Sequence, residues 1–76
     1  MSPPTSHAHA IYIARSRMGL TQRELASLLG VRQQAVGMWE SGRSRPRLKT
    51  AWRLVNLAKG YGVPLALGDI WKEAQA

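Results

Sequence analysis

The 76 residues suffice for one domain and are too few for a second core, so no separate ligand-sensing or cleavable domain is expected in this sequence. Eleven Lys and Arg against four Asp and Glu leave a formal charge of +7, which points to a polyanionic partner. The absence of cysteine excludes disulfides and thiolate metal sites, and with no signal-like or membrane-spanning apolar run a cytoplasmic location is expected.

Residues 1–8 hold Pro3, Pro4, Ser2, Thr5 and Ser6 with little apolar content and read as a flexible tail, leaving 9–76 as the folded domain. His7 and His9 fall in or beside this stretch without further ligands, so no metal site is expected, and nothing in the chain calls for a cofactor. From His9 to Arg17, Ile11, Ala14 and Met18 recur at helical spacing and should face a core, with Gly19 closing the helix.

Thr21 can cap a second helix in which Leu25, Leu28 and Leu29 form an apolar stripe at i, i+3 and i+4. Small Ala26 would let a following helix cross closely. Gly30 suits the left-handed backbone that ends a helix, and Val31 supplies an apolar residue in the turn. In the third helix Val36 and Trp39 should point inward, leaving Arg32, Gln33, Gln34, Ala35 and Met38 outward.

The run RSRPR, Arg43 to Arg47, reads as a loop fixed by Pro46. Beyond it Leu48, Trp52 and Val55, with Tyr61 at the far end, line one helix whose apolar face Leu54, Leu57 and Ala58 widen; Gly60 and Gly62 end it. Leu67, Ile70 and Trp71 mark a short last helix starting between Pro64 and Asp69. With no strand pattern and no repeat, the expected fold is all-α, a compact bundle of about five helices.

The stretch from Thr21 to Gly42, two short helices with a tight turn, has the pattern of a DNA-reading helix-turn-helix. Glutamine near the start of a groove-bound helix suits base reading, because its amide accepts from adenine N6 and donates to N7. Gln33 and Gln34 stand there, while Arg32 could pair with guanine or hold a phosphate. Gln22 opens the preceding helix, where free backbone donors and partial positive charge favour a phosphate. Arg43, Arg45 and Arg47 are placed to grip the flanking backbone. No carboxylate pair, no cysteine and no histidine outside the N-terminal stretch are available for acid–base or nucleophilic work, so an enzyme is not expected.

TQRELASLLGV, followed by QQAV and WESGRSRP, resembles the helix-turn-helix of the Cro and repressor proteins of lambdoid phages, the XRE family. The likeness runs from about Ile11 to Val63, with Trp39 to Pro46 and Gln22 its most specific parts. It implies a lambda-repressor-like DNA-binding domain, base contact from Arg32, Gln33, Gln34 and Met38, phosphate contact from Gln22, and an ion pair between Arg15 and Glu40. It also implies dimers on operators of two half-sites.

The segment KGYGVPLALGDIW departs from the family's short linker, so dimer contacts do not carry across. On chemistry alone, Leu65, Leu67, Ile70 and Trp71 either cover the core or are shared with a second copy, and a homodimer is expected at least on DNA. The leading function is a small Cro-like or prophage repressor acting on double-stranded DNA, with no membrane and no small-molecule ligand. The alternatives are an autoregulating antitoxin with a toxin partner protein, and a protein-binding adaptor that keeps the fold without an operator.

Overall fold

A computed structural model of the chain describes residues 6–71. Its five helices are α1 (Ser6–Met18), α2 (Gln22–Leu29), α3 (Gln33–Glu40), α4 (Leu48–Gly60) and α5 (Leu67–Ile70), and no strand occurs among the described residues. The expected tail up to Thr5 and the domain's end beyond Trp71 lie outside the described residues. Helix α1, however, begins inside the supposed tail. His7 and Ala8 are both helical and buried, because His7 stands in register with Ile11, Ala14 and Met18 and extends their stripe by one turn. The prolines that suggested a tail precede this turn and do not interrupt it.

Local chemistry explains the boundaries of α2. Thr21 Oγ1 accepts from the Glu24 N–H at 3.0 Å and Glu24 Oε1 accepts from the Thr21 N–H at 2.8 Å, so a capping box occupies two orphan donors at the helix start. At the other end Gly30 takes φ +71°, and the N–H groups of Gly30 and Val31 return to Ser27 O and Ala26 O. That reversal closes the last turn and aims the chain into α3.

The core joins Ile11, Ala14 and Met18 of α1, Leu25, Ala26 and Leu29 of α2, Val36 and Trp39 of α3, Ala51, Leu54 and Ala58 of α4, Val63, and Ile70 of α5. Two apolar stripes differ from expectation. In α2, Leu28 is 54% exposed, because the buried arc is centred among Leu25, Ala26 and Leu29 and leaves Leu28 at its edge. In α4 the arc runs through Ala51, Leu54 and Ala58, with Leu48, Trp52 and Tyr61 exposed. Small residues there permit close helix contact, so the alanines take the inner face and the bulky side chains fall outside it.

Helix α5 packs on α1 and α4 and buries Ile70 completely. Asp69 Oδ2 accepts from the Ala66 N–H at 2.9 Å, which fixes the start of this short helix between the two limits read from the sequence. No described helix is long and apolar enough to cross a membrane.

The rotated face of α4 has a direct test. Leu54→Ala should lower stability by about 2–5 kcal/mol through cavity formation, while Trp52→Ala should cost no more than about 1 kcal/mol. Urea unfolding of the two variants would measure the difference, and equal losses would contradict the inner placement of Leu54.

Candidate nucleic-acid interface

The helix-turn-helix is locked by a half-buried polar cluster centred on Glu40, the last residue of α3. Arg15 of α1 grips this carboxylate with both sides of its guanidinium, Nε to Oε2 at 2.6 Å and Nη2 to Oε1 at 2.9 Å. Its remaining arm, Nη1, donates to the Leu20 carbonyl at 2.8 Å, in the turn that leads to α2. Gln22 Nε2 adds a further donor to Glu40 Oε1 at 3.0 Å. One carboxylate therefore ties together α1, the α1–α2 turn, the start of α2 and the end of α3.

The two charged side chains retain only 14% and 8% of their exposure, so the pair sits where attraction is weakly screened. The hydrogen bond to Glu40 raises the Arg15 pKa above its ordinary value; burial opposes this and the nearby negative charge adds to it. The Arg15 guanidinium also lies 5.5 Å from the centre of the Tyr12 ring, an orientation that favours its positive form.

Gln22, read as a phosphate contact, has a competing commitment. Its amide gives one hydrogen to Glu40, and the side chain is half-buried against α3, where a Cβ on Gly37 would stand 3.7 Å from its Oε1. The second amide hydrogen and the backbone N–H at the start of α2 are what remain for a ligand.

Helix α3 divides as its period requires. Val36 and Trp39 are enclosed, while Arg32, Gln33 and Gln34 are exposed together at its N-terminal end. Arg32 occupies the N-cap in an extended conformation, and its side chain makes no cap bond. The leading turn thus presents two amides and a guanidinium beside the positive end of the helix. Met38 follows on the same side at 43% exposure. Ala35, expected outward, is instead partly buried against the core, since it precedes Val36 on the side that meets the bundle.

The loop after α3 turns at Gly42, whose φ of +81° is a backbone conformation that other residues adopt at a cost. Both Arg43 and Ser44 donate their N–H to Met38 O, at 3.0 and 3.2 Å. Arg43, Arg45 and Arg47 are all exposed, and Pro46 is buried beneath them. They are not equally free. The Arg45 guanidinium lies 5.0 Å from the centre of the Trp71 ring, and Trp71 Nε1 donates to the Pro46 carbonyl at 2.7 Å.

This last contact changes the reading of the C-terminal apolar residues. Ile70 is fully enclosed by its own chain and has no surface for a second copy. Leu65 and Leu67 are partly buried against the same core, and Trp71 is 40% exposed with its indole N–H engaged. Leu65 also lines an open cavity of about 350 Å³ with Val55, Lys59, Gly62, Val63 and Pro64.

Sequence reasoning passed over His7. It is 6% exposed and its Nε2 lies 2.9 Å from the Ser44 carbonyl, so Nε2 carries the hydrogen. The signal was its spacing from Ile11 and Ala14, which the composition of the preceding residues obscured. No group of three or more His, Asp or Glu side chains that could hold a metal occurs among the described residues.

Two helices crossing through a glycine turn, the second with a polar leading end and an arginine loop behind it, define a helix-turn-helix module. The chain belongs to the helix-turn-helix family HTH_3, whose model matches residues 11–67. Its structure is similar to that of an HTH_3 family transcriptional regulator from Vibrio cholerae, with a TM-score of 0.67 and 24% identity over 90% of this chain and 35% of that one. The likeness therefore concerns the fold and a minor part of the other protein's length. Comparison with curated proteins gives no match. The family assignment rests on the helix-turn-helix itself, and the neighbour adds the fold alone.

Because Glu40 answers both Arg15 and Gln22, its removal would strand a guanidinium away from solvent. Glu40→Ala should destabilise the fold by about 3–5 kcal/mol, the usual range for breaking one side of a buried pair. Thermal or denaturant unfolding measures this, and a loss below about 1 kcal/mol would place the pair among weak surface contacts.

Proposed function

We propose that this protein is a sequence-specific transcriptional regulator, a small repressor of the Cro-like type, that binds operator DNA by placing α3 in the major groove. The observation that carries the reading is the exposure of Arg32, Gln33 and Gln34 at the leading end of α3, a helix whose opposite side is fixed by Val36, Trp39 and the Glu40 cluster. A rigid helix presenting bidentate amides can discriminate base pairs, which a mobile one does poorly.

In this reading Gln33 and Gln34 read base edges, Arg32 contacts a base or an adjoining phosphate, and Met38 offers apolar contact to a thymine methyl. Gln22 and the first N–H groups of α2 take one phosphate, and Arg43 and Arg47 take others. The formal charge of +7 supplies attraction independent of sequence. Two protomers bind a two-fold symmetric site, with Leu65 and Leu67 remaining as contact candidates and the exposed pair Leu48 and Trp52 supplying apolar surface on α4.

Selection of bound duplexes from random DNA tests the whole reading. A palindromic enriched site is expected, occupied by two protomers in sedimentation of the complex. Binding without enrichment would reject sequence reading, and one protomer per palindrome would reject the dimer.

On the selected site, Gln33→Ala or Gln34→Ala should lose about 1–3 kcal/mol of affinity while binding to unrelated duplexes hardly changes. Arg43→Ala or Arg47→Ala should weaken both kinds of DNA and reduce the slope of log affinity against log salt by about one. Titrations at several salt concentrations separate the two patterns, and a slope unaffected by the arginine variants would place those side chains off the backbone.

A further inference from the structure

We propose that His7 and Trp71 are positioning residues, which pin the loop between α3 and α4 from opposite ends of the chain in the shape that its arginines need to meet a DNA backbone. The proposal rests on the DNA-binding reading for its purpose and on the loop's own geometry for its mechanism.

The loop is poor in bonds of its own. After the Arg43 and Ser44 N–H groups have turned back to Met38 O, the next backbone bond is that from Ala51 to Arg47 O, already in α4. Pro46 has no N–H to give. The Ser44 and Pro46 carbonyls flank Arg45, and each receives a side-chain donor from a distant part of the chain. His7 Nε2, in the first turns of α1, serves Ser44 O at 2.9 Å, and Trp71 Nε1, just past α5, serves Pro46 O at 2.7 Å. The Trp71 ring then lies under the Arg45 guanidinium at 5.0 Å, so the residue between the two pinned carbonyls is held as well.

The choice of histidine supports this role. His7 is buried and its Nδ1 has no partner, so for plain core filling it is inferior to leucine, which would leave no polar atom unsatisfied. What histidine supplies and leucine cannot is the Nε2–H that reaches Ser44. Trp71 likewise keeps 40% of its surface in water, a poor use of an indole unless its N–H and its face are both engaged. A loop held in advance loses little conformational freedom on binding, whereas a loose one must be ordered at that moment.

The effect of an anchor therefore differs from that of a phosphate contact. Losing an anchor leaves the same phosphates to be contacted but adds an ordering penalty, so affinity falls while the salt slope stays constant. Losing an arginine changes the slope.

The test uses Trp71→Phe, which keeps a ring under Arg45 and removes the N–H, and His7→Leu, with His7→Gln as the variant that restores a donor. Trypsin nicking after Arg43 and Arg47, and amide exchange at Arg43 and Ser44, report the loop without DNA. Binding to random-sequence duplex at several salt concentrations reports the interface. Trp71→Phe and His7→Leu should each speed nicking and exchange in the loop, with protection in α2 and α3 retained. They should also weaken duplex binding by about three- to tenfold at unchanged slope, the effect of about one hydrogen bond. His7→Gln should behave as the parent protein.

Nicking and exchange at the parent rate in both variants would overturn the proposal, as would loosening spread evenly over all helices, which would make these residues supports of the fold. A parent protein that bound no duplex at any salt would instead overturn the DNA-binding reading, and with it the loop's purpose, while nicking would still show whether the anchors hold the loop.

Discussion

The Glu40 carboxylate is the point on which this arrangement depends. A helix-turn-helix needs its second helix held at a fixed angle to the first, and two eight-residue helices have little apolar area with which to do it. Val36 and Trp39 supply the packing, but packing alone tolerates sliding. A carboxylate that receives both sides of the Arg15 guanidinium and the Gln22 amide fixes the far end of α3 in direction as well as distance. The near end, bearing Gln33 and Gln34, is then free of internal duties. Rigidity at one end of the helix and availability at the other are parts of the same solution.

The local elements were legible in the sequence because each has a short-range cause. Thr21 and Gly30 bound α2, Val36 and Trp39 orient α3, and the exposed group Arg32, Gln33, Gln34 follows from that period. The Arg15 to Glu40 contact spans distant positions and has no local signature; it was expected through family resemblance. Its physical basis emerges only when α1 and α3 are brought together.

What escaped the sequence has two causes. In α4 the large apolar residues Leu48, Trp52 and Tyr61 drew attention, yet helix contact is governed by how near two backbones can come. Ala51 and Ala58 decide that, which leaves Trp52 outside. At the amino end composition outweighed register, since prolines suggested that His7 belonged to a tail; at the other end the apolar pattern left open whether Leu65, Leu67, Ile70 and Trp71 cover the core or are shared with a second copy, and Ile70 covers it. Neither reading had the tertiary fact that α1 and α5 pack together, which brings His7 and Trp71 to the same loop.

The capping box at Thr21 and the Asp69 bond at Ala66 have a shared electrostatic result. Among the described residues, Glu24, Glu40 and Asp69 are each hydrogen-bonded to donors of their own chain, two at helix starts and one in the central cluster. Arg15 and Glu40 are the one ion pair found there. The exposed arginines of α3 and the following loop consequently face no competing carboxylate within the described part of the molecule. An approaching polyanion therefore has no carboxylate of residues 6–71 to displace before it meets them, and none of these three acids cancels the positive field there at short range.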